Sequence, residues 1–204
     1  MAQASPERAS SGPRFRGSPS GPRGTKDHPL MDSHLAALLG GADTDLLAAI
    51  SILALSGMRL DEMRRLRVAQ CGRGSFRVGE CAANLGSREV PVHSALAGTV
   101  LRLTRGRAGD AFLIGDGADF GRAPSRIERR FDACRRAAVG MAGPPLSIHG
   151  LRRWFVRTAL DAEQPPDVVA AVIGHFRPAD AEPRPTWGQR CACVEAVRLP
   201  EATL

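Results

Sequence analysis

The sequence contains no tyrosine, and Lys26 is the one lysine among its 28 basic residues. A mechanism that needs a phenol, or a lysine amine beyond position 26, is therefore excluded. No apolar run approaches the ~20 residues that span a bilayer, so the sequence predicts no transmembrane helix. The first 26 residues lack the apolar stretch of a secretory signal, and we expect a cytoplasmic protein.

The five cysteines are few and irregularly spaced. Cys191 and Cys193 are separated by one residue, which is too close for a CxxC pair, and no second cluster completes a zinc site. The acidic residues form no cluster either. The sequence therefore predicts reduced thiols, no bound metal and no cofactor.

Arginine dominates what the sequence does contain. The net charge is +7 and the isoelectric point is about 10.3. A guanidinium binds phosphate oxygens in a bidentate geometry that an ammonium does not match. The charge balance thus favours a polyanionic partner such as nucleic acid.

The chain divides into a tail, a domain and a short end. Residues 1–30 are rich in Ser, Gly, Pro and Arg and lack apolar periodicity, which predicts a disordered basic tail. Residues 31–190 form the predicted domain, and 191–204 a carboxy-terminal tail or short helix. Helices are predicted at 32–39, 45–55, 60–67, 94–105, 124–139, 149–162, 165–174 and 191–198, and strands at 75–79 and 88–92. The fold class is α+β, mostly helical with a small antiparallel sheet.

Arg59 lies between two predicted helices. The preceding Ser56-Gly57 ends an apolar helix that Asp43 or Thr44 can cap, and the next helix starts at residue 60. A guanidinium at such a junction projects beside free backbone amides, which also favour an anion. Glu62 lies within reach of Arg59 or of the first-turn amides of the second helix.

Two further segments carry titratable side chains. His149 and Arg152 are three residues apart on one predicted helix, so they share a face near its amino terminus. An imidazole and a guanidinium there can bind a phosphate and transfer a proton. His175 follows Gly174, which ends another predicted helix.

Taken together, these segments resemble the catalytic domain of the tyrosine recombinase (phage integrase) family. The order R…HxLR…GH, with strands after the first element and a VPV strand end at Val90–Val92, carries the resemblance. It covers about Asp32 to Trp187, most of the chain.

The resemblance implies phosphoryl transfer on double-stranded DNA, in recombination and integration, through a 3′-phosphotyrosyl intermediate. Arg59 and Arg152 would bracket the scissile phosphate. His149 would handle a proton or hydrogen-bond the phosphate, and His175 would position the same group. No metal is implied, and other recombinase protomers are expected partners.

Two residues of the family pattern are missing. The lysine of the family's hairpin falls near Ala83 or Asn84, and Trp187 stands near the place of the nucleophilic tyrosine. An indole cannot attack phosphorus. We therefore expect a DNA-binding pseudoenzyme, either a mobile-element relic or an accessory to an active recombinase.

Other interpretations remain open. A thiolate of Cys191 or Cys193 could replace the nucleophile. Water activated by His149 would make the chain a metal-independent hydrolytic nuclease. The gene could also be a non-functional remnant.

Overall fold

A computed structural model of the chain describes residues 28–79, 87–115, 124–175 and 184–201. Most of the predicted tail lies outside these ranges. Within them the helices are α1 (Asp32–Gly41), α2 (Thr44–Ser56), α3 (Leu60–Arg65), α4 (Ala97–Thr104), α5 (Arg126–Val139), α6 (Gly150–Asp161), α7 (Pro166–Ile173) and α8 (Trp187–Glu195), and the strands are β1 (Cys71–Gly72), β2 (Ser75–Val78) and β3 (Arg88–Pro91). None of these helices is long and apolar enough to cross a membrane. The α+β prediction is confirmed.

Helix α2 is the centre of the hydrophobic core. Every residue from Ala48 to Ser56 is buried, as its nearly continuous apolar sequence predicts. The helix packs against α5 and α6. Of the two candidate caps, Asp43 is the one used, because its Oδ1 accepts hydrogen bonds from the backbone amides of Asp45 and Leu46.

The sheet is antiparallel, with β2 between β1 and β3. Phe76 lies opposite Val90 in this register, and both side chains are fully buried. The sequence predicted two strands, and the structure adds β1, whose two residues are too few to show an alternating pattern. Helices α7 and α8 both pack against β3, which is an edge strand of the described sheet.

Both ends of the predicted domain differ from the structure. Leu30, assigned to the tail, is 2% exposed and belongs to the core, and its carbonyl accepts a hydrogen bond from Arg157. The final helix begins at Trp187 instead of Cys191, because Thr186 and Gln189 form a capping box. The boundary at 190 therefore falls inside α8, whose Cys193 is buried in the same core.

Two predicted helices are shorter in the structure. The segment 94–105 begins with a 3-10 turn (Ser94–Leu96), in which His93 Nδ1 accepts a hydrogen bond from the Ala95 amide, and α4 follows. The segment 60–67 ends at Arg65, because Leu66 has an extended backbone.

We expect Gly57→Ala to lower the free energy of unfolding by about 3 kcal/mol. Gly57 has φ +60°, and an added Cβ would lie 2.6 Å from Phe155 Cδ1 and 2.9 Å from Ile173 Cγ2. Urea denaturation measures the change. Gly40→Ala is the matched control, because nothing lies within 4 Å of an added Cβ there. Equal stability of the two variants would contradict this description of the α2–α3 turn.

Candidate functional site

The turn between α2 and α3 holds the backbone of Arg59. Gly57 ends α2 in the left-handed conformation, and its amide donates to the Leu53 carbonyl. The Ser56 hydroxyl accepts a hydrogen bond from the Met58 amide at 3.3 Å. Arg59 then stands in an extended conformation as the N-cap residue of α3, half-buried. The predicted helix junction is therefore present, and it is well ordered by local hydrogen bonds.

Glu62 and Arg88 form a buried bidentate ion pair, which we call the Glu62–Arg88 clamp. Arg88 Nη1 and Nη2 donate to Glu62 Oε1 and Oε2 at 2.7 and 2.9 Å. Glu62 Oε2 also accepts the Arg59 amide at 2.7 Å, and Arg88 Nε donates to the Val172 carbonyl at 3.1 Å. The clamp thus joins α3, β3 and α7.

The clamp needs a glycine at the end of α7. An added Cβ at Gly174 would lie 2.8 Å from Arg88 Cζ, and Gly174 has φ +76°. The His175 amide donates to the Ala170 carbonyl at 2.8 Å. His175 is therefore placed just beyond the helix, as the sequence predicts, and beside the guanidinium of Arg88.

Arg152 connects α6 to the same turn. Its side chain is 5% exposed, and Nη1 donates to the Gly57 carbonyl at 2.7 Å. Nη2 is buried, and among the described residues no acceptor lies within hydrogen-bond distance of it. Burial, with a smaller effect from the charge of Arg59, lowers the pKa of Arg152 to about 10. The group remains a cation at neutral pH and retains an unused donor.

His175 contacts Arg59 directly. Arg59 Nη2 and His175 Nε2 are 3.2 Å apart. Because a guanidinium only donates, Nε2 accepts, and the neutral imidazole carries its proton on Nδ1. Although His175 keeps an exposed surface, desolvation of its ring lowers its pKa to about 4, helped by the charges of Arg152, Arg59 and Arg88. His175 is therefore neutral at pH 7.

The charges of the site do not cancel. Burial alone would raise the pKa of Glu62, but the hydrogen bonds and charge of Arg88 outweigh it and hold that pKa below its ordinary value. Glu62 is thus ionised and neutralises Arg88. Arg59 and Arg152 remain as two cations, each with donors that the clamp does not use.

The other predicted residues of the described chain, His149 and Trp187, stand at the starts of helices α6 and α8. His149 is the exposed N-cap residue of α6, one turn before Arg152. Trp187 begins α8 and is 39% exposed, with its ring 5.1 Å from the Arg190 guanidinium carbon. Arg190 donates to the Glu89 carbonyl and so ties α8 to β3. The expected lysine positions, 83 and 84, lie outside the described residues.

The two candidate thiols differ in burial. Cys193 is fully buried, and burial raises its pKa to about 11, so it cannot supply a thiolate at neutral pH. Cys191 is half-buried. Within the described ranges no group of three or more His, Cys, Asp or Glu side chains could hold a metal ion.

Sequence reasoning missed the role of Arg88. The sequence places Glu62 near Arg59, and the structure confirms that contact through the Arg59 amide. The side-chain partner of the Glu62 carboxylate, however, is Arg88, which lies 26 residues further along the chain on β3. Two signals were available in the sequence: Arg88 at the start of a strand and Glu62 at the position of a capping-box glutamate. Neither signal identifies the other residue as its partner.

The described chain is similar in structure to phage integrases. It matches the integrase of mycobacterium phage Brujita with a TM-score of 0.65 and 18% sequence identity, covering 92% of this chain and 63% of that one. It matches a lambda integrase dimer bound to a COC′ core site with a TM-score of 0.60 and 14% identity, covering 85% and 65%. The chain thus spans just under two thirds of the length of these two relatives.

The lambda integrase catalytic core is matched with a TM-score of 0.56 and 16% identity, covering 72% of this chain and 95% of that one. No protein-family model and no curated protein matches the sequence. The fold is therefore that of the tyrosine recombinase catalytic domain, and the resemblance predicted from the sequence is confirmed at the level of the fold.

We expect Arg59→Met to raise the pKa of His175 from about 4 toward its ordinary value of 6.5, because a neighbouring cation is removed. NMR titration of the histidine resonances measures the shift. Arg136→Met on α5 is the control, because Arg136 pairs with Asp132 and is not among the charges acting on His175. An unchanged His175 pKa in Arg59→Met would contradict the described contact.

The lowered pKa of His175 also makes the stability of the fold depend on pH. The unfolded chain binds a proton at His175 near pH 6.5, whereas the folded chain does so near pH 4. Acidification across this window therefore favours the unfolded state. The contribution of His175 to stability is complete above pH 6.5 and declines as the pH falls toward 4.

Proposed function

Starting from the fold of the tyrosine recombinase catalytic domain, we propose that this chain is a DNA-binding protein of the site-specific recombinase group that does not cleave strands. It binds a backbone phosphate of double-stranded DNA through Arg59, Arg152 and His175. The observation that carries the proposal is the buried Arg152 Nη2, which has no acceptor among the described residues. A phosphate oxygen is an acceptor that would satisfy it.

The electrostatics of the site support a phosphate ligand. A buried donor without a partner costs stability, and an acceptor that a ligand supplies would recover that cost. Two uncompensated guanidiniums add charge complementarity to an anion. His175, neutral at pH 7, adds a donor without adding charge. The surrounding basic protein, with a net charge of +7, would strengthen association with DNA at low salt.

The lack of cleavage rests on the chain's own residues. The sequence has no tyrosine, and Trp187 at the start of α8 offers an indole, which is no nucleophile. Arg88 is a poor general acid, because its guanidinium is engaged by the Glu62 carboxylate and the Val172 carbonyl. We propose an accessory role, in which the protein occupies DNA beside an active recombinase in the cytoplasm.

Related structures suggest the partners. One similar lambda integrase is a dimer bound to a COC′ core site, and another is a tetramer bound to a Holliday junction. By analogy, we propose double-stranded DNA and further recombinase protomers as the partners of this chain. A mobile element is the proposed genetic setting.

We expect Arg59→Ala/Arg152→Ala to lower affinity for a short duplex at low salt by at least about tenfold, because two charge-assisted hydrogen bonds are lost. The slope of log affinity against log salt should become shallower by about one, because both arginines contact the same phosphate. Fluorescence anisotropy across a salt series measures both. Arg105→Ala/Arg136→Ala removes the same charge from exposed side chains and should cost less affinity. Equal losses in the two double variants would contradict a specific site.

A hydrolytic nuclease is the second candidate. It is favoured by the exposed position of His149 one turn before Arg152, where the imidazole has access to water. Nicking of supercoiled plasmid that survives EDTA and disappears in His149→Ala would establish it. Intact plasmid together with specific duplex binding would support the non-cleaving protein. A broad, non-cooperative thermal transition would instead indicate a gene remnant.

A further inference from the structure

The described side chains Arg59, Arg152 and His175 offer hydrogen-bond donors to a ligand. Arg152 Nη2 is unpaired and buried, and Arg59 retains the guanidinium hydrogens that His175 Nε2 does not accept. His175 itself keeps an N–H at Nδ1, because its other nitrogen is the acceptor for Arg59. Three neighbouring side chains therefore each have a donor that is available to a ligand.

The charge left over at the site is twice that of one phosphodiester. Arg88 is neutralised by Glu62 through two hydrogen bonds, and His175 is neutral at pH 7. Among the described residues of the cluster, three guanidiniums (Arg59, Arg88 and Arg152) stand against the one carboxylate of Glu62, which leaves a surplus of two positive charges. An internal phosphodiester carries one negative charge and has two unshared oxygens. A terminal phosphate is close to a dianion at pH 7 and has three.

We propose that the preferred ligand of this site is a terminal phosphate at a DNA strand end or nick. This inference rests on the proposed function, because it assumes that Arg59, Arg152 and His175 bind DNA phosphate. The three donors match the three unshared oxygens in number, and the two surplus positive charges of the cluster match the dianionic charge. The protein would then select interrupted strands over continuous duplex.

The absence of a phenol is consistent with such a ligand. In a chain without tyrosine, no phenolic oxygen of the chain competes for the phosphorus. A group that ends in phosphate needs only to be held, and the buried Arg152 supplies a rigid donor for it. Holding requires no bond to form or break, so the proposal is one of binding.

The test compares four versions of one duplex with the full chain by fluorescence anisotropy. The first is continuous, and the others carry a central nick with a 3′-phosphate, a 5′-phosphate or hydroxyls on both sides. A fifth duplex has the 3′-phosphate capped as its methyl ester, which keeps the size but removes one charge. Arg152→Ala and the exposed control Arg136→Ala are measured on the same set.

We expect a phosphorylated nick to bind about tenfold tighter than the hydroxyl nick. The methyl ester should lose most of this gain, and so should Arg152→Ala but not Arg136→Ala. Whichever of the 3′- and 5′-phosphates binds tighter identifies the end that is recognised. Equal affinity for phosphorylated and hydroxyl nicks would overturn the inference. If Arg59→Ala/Arg152→Ala still weakens binding to continuous duplex in that case, the proposed function stands, whereas insensitivity on every duplex would overturn both.

Discussion

The Glu62–Arg88 clamp is the interaction on which the rest of the site depends. It ties α3, β3 and α7 together through two charged hydrogen bonds and the bond from Arg88 to the Val172 carbonyl. Both side chains are nearly excluded from water, at 3% and 10% exposed. Loss of one partner would leave an uncompensated buried charge, which costs about 3–5 kcal/mol. The clamp therefore fixes the distance between Arg59 on α3 and His175 after α7.

The clamp also determines the charge that a ligand meets. Glu62 pairs with Arg88 and its charge also acts on Arg152, but one carboxylate cannot balance the three guanidiniums of Arg59, Arg88 and Arg152. Desolvation of the His175 ring, helped by the charges of Arg152, Arg59 and Arg88, lowers its pKa, so that the neutral ring accepts a hydrogen bond from Arg59. A ligand entering the site thus meets two charges and a neutral donor, a combination suited to phosphate.

Local signals in the sequence were sufficient for much of this arrangement. The apolar run of α2 predicted its central position, Ser56-Gly57 predicted the break before Arg59, and Gly174 predicted the exit of His175. Each of these depends on residues within one or two turns of each other. The early start of α8 was equally readable from Thr186 and Gln189, but the prolines before it drew the prediction toward a later start.

Contacts between distant segments could not be predicted in the same way. The pairing of Glu62 with Arg88 depends on the register of β3 beside α3, and the bond from Arg152 to the Gly57 carbonyl crosses 95 residues. Leu30 showed no periodicity of its own, and its carbonyl accepts a hydrogen bond from Arg157 of α6, 127 residues away. The sequence shows that the arginines are present. Which of them is paired with a carboxylate is decided only by the folded chain.

The most direct test of this account is the affinity of Glu62→Gln/Arg88→Met for a short duplex. This double variant removes both buried charges together, so that neither is left unpaired, and circular dichroism establishes the folded fraction. Arg59, Arg152 and His175 are unchanged in it. We expect the folded variant to lose at least about tenfold in affinity, because Arg59 and His175 are no longer held together. Full affinity in a folded double variant would contradict the claim that the clamp organises the phosphate site.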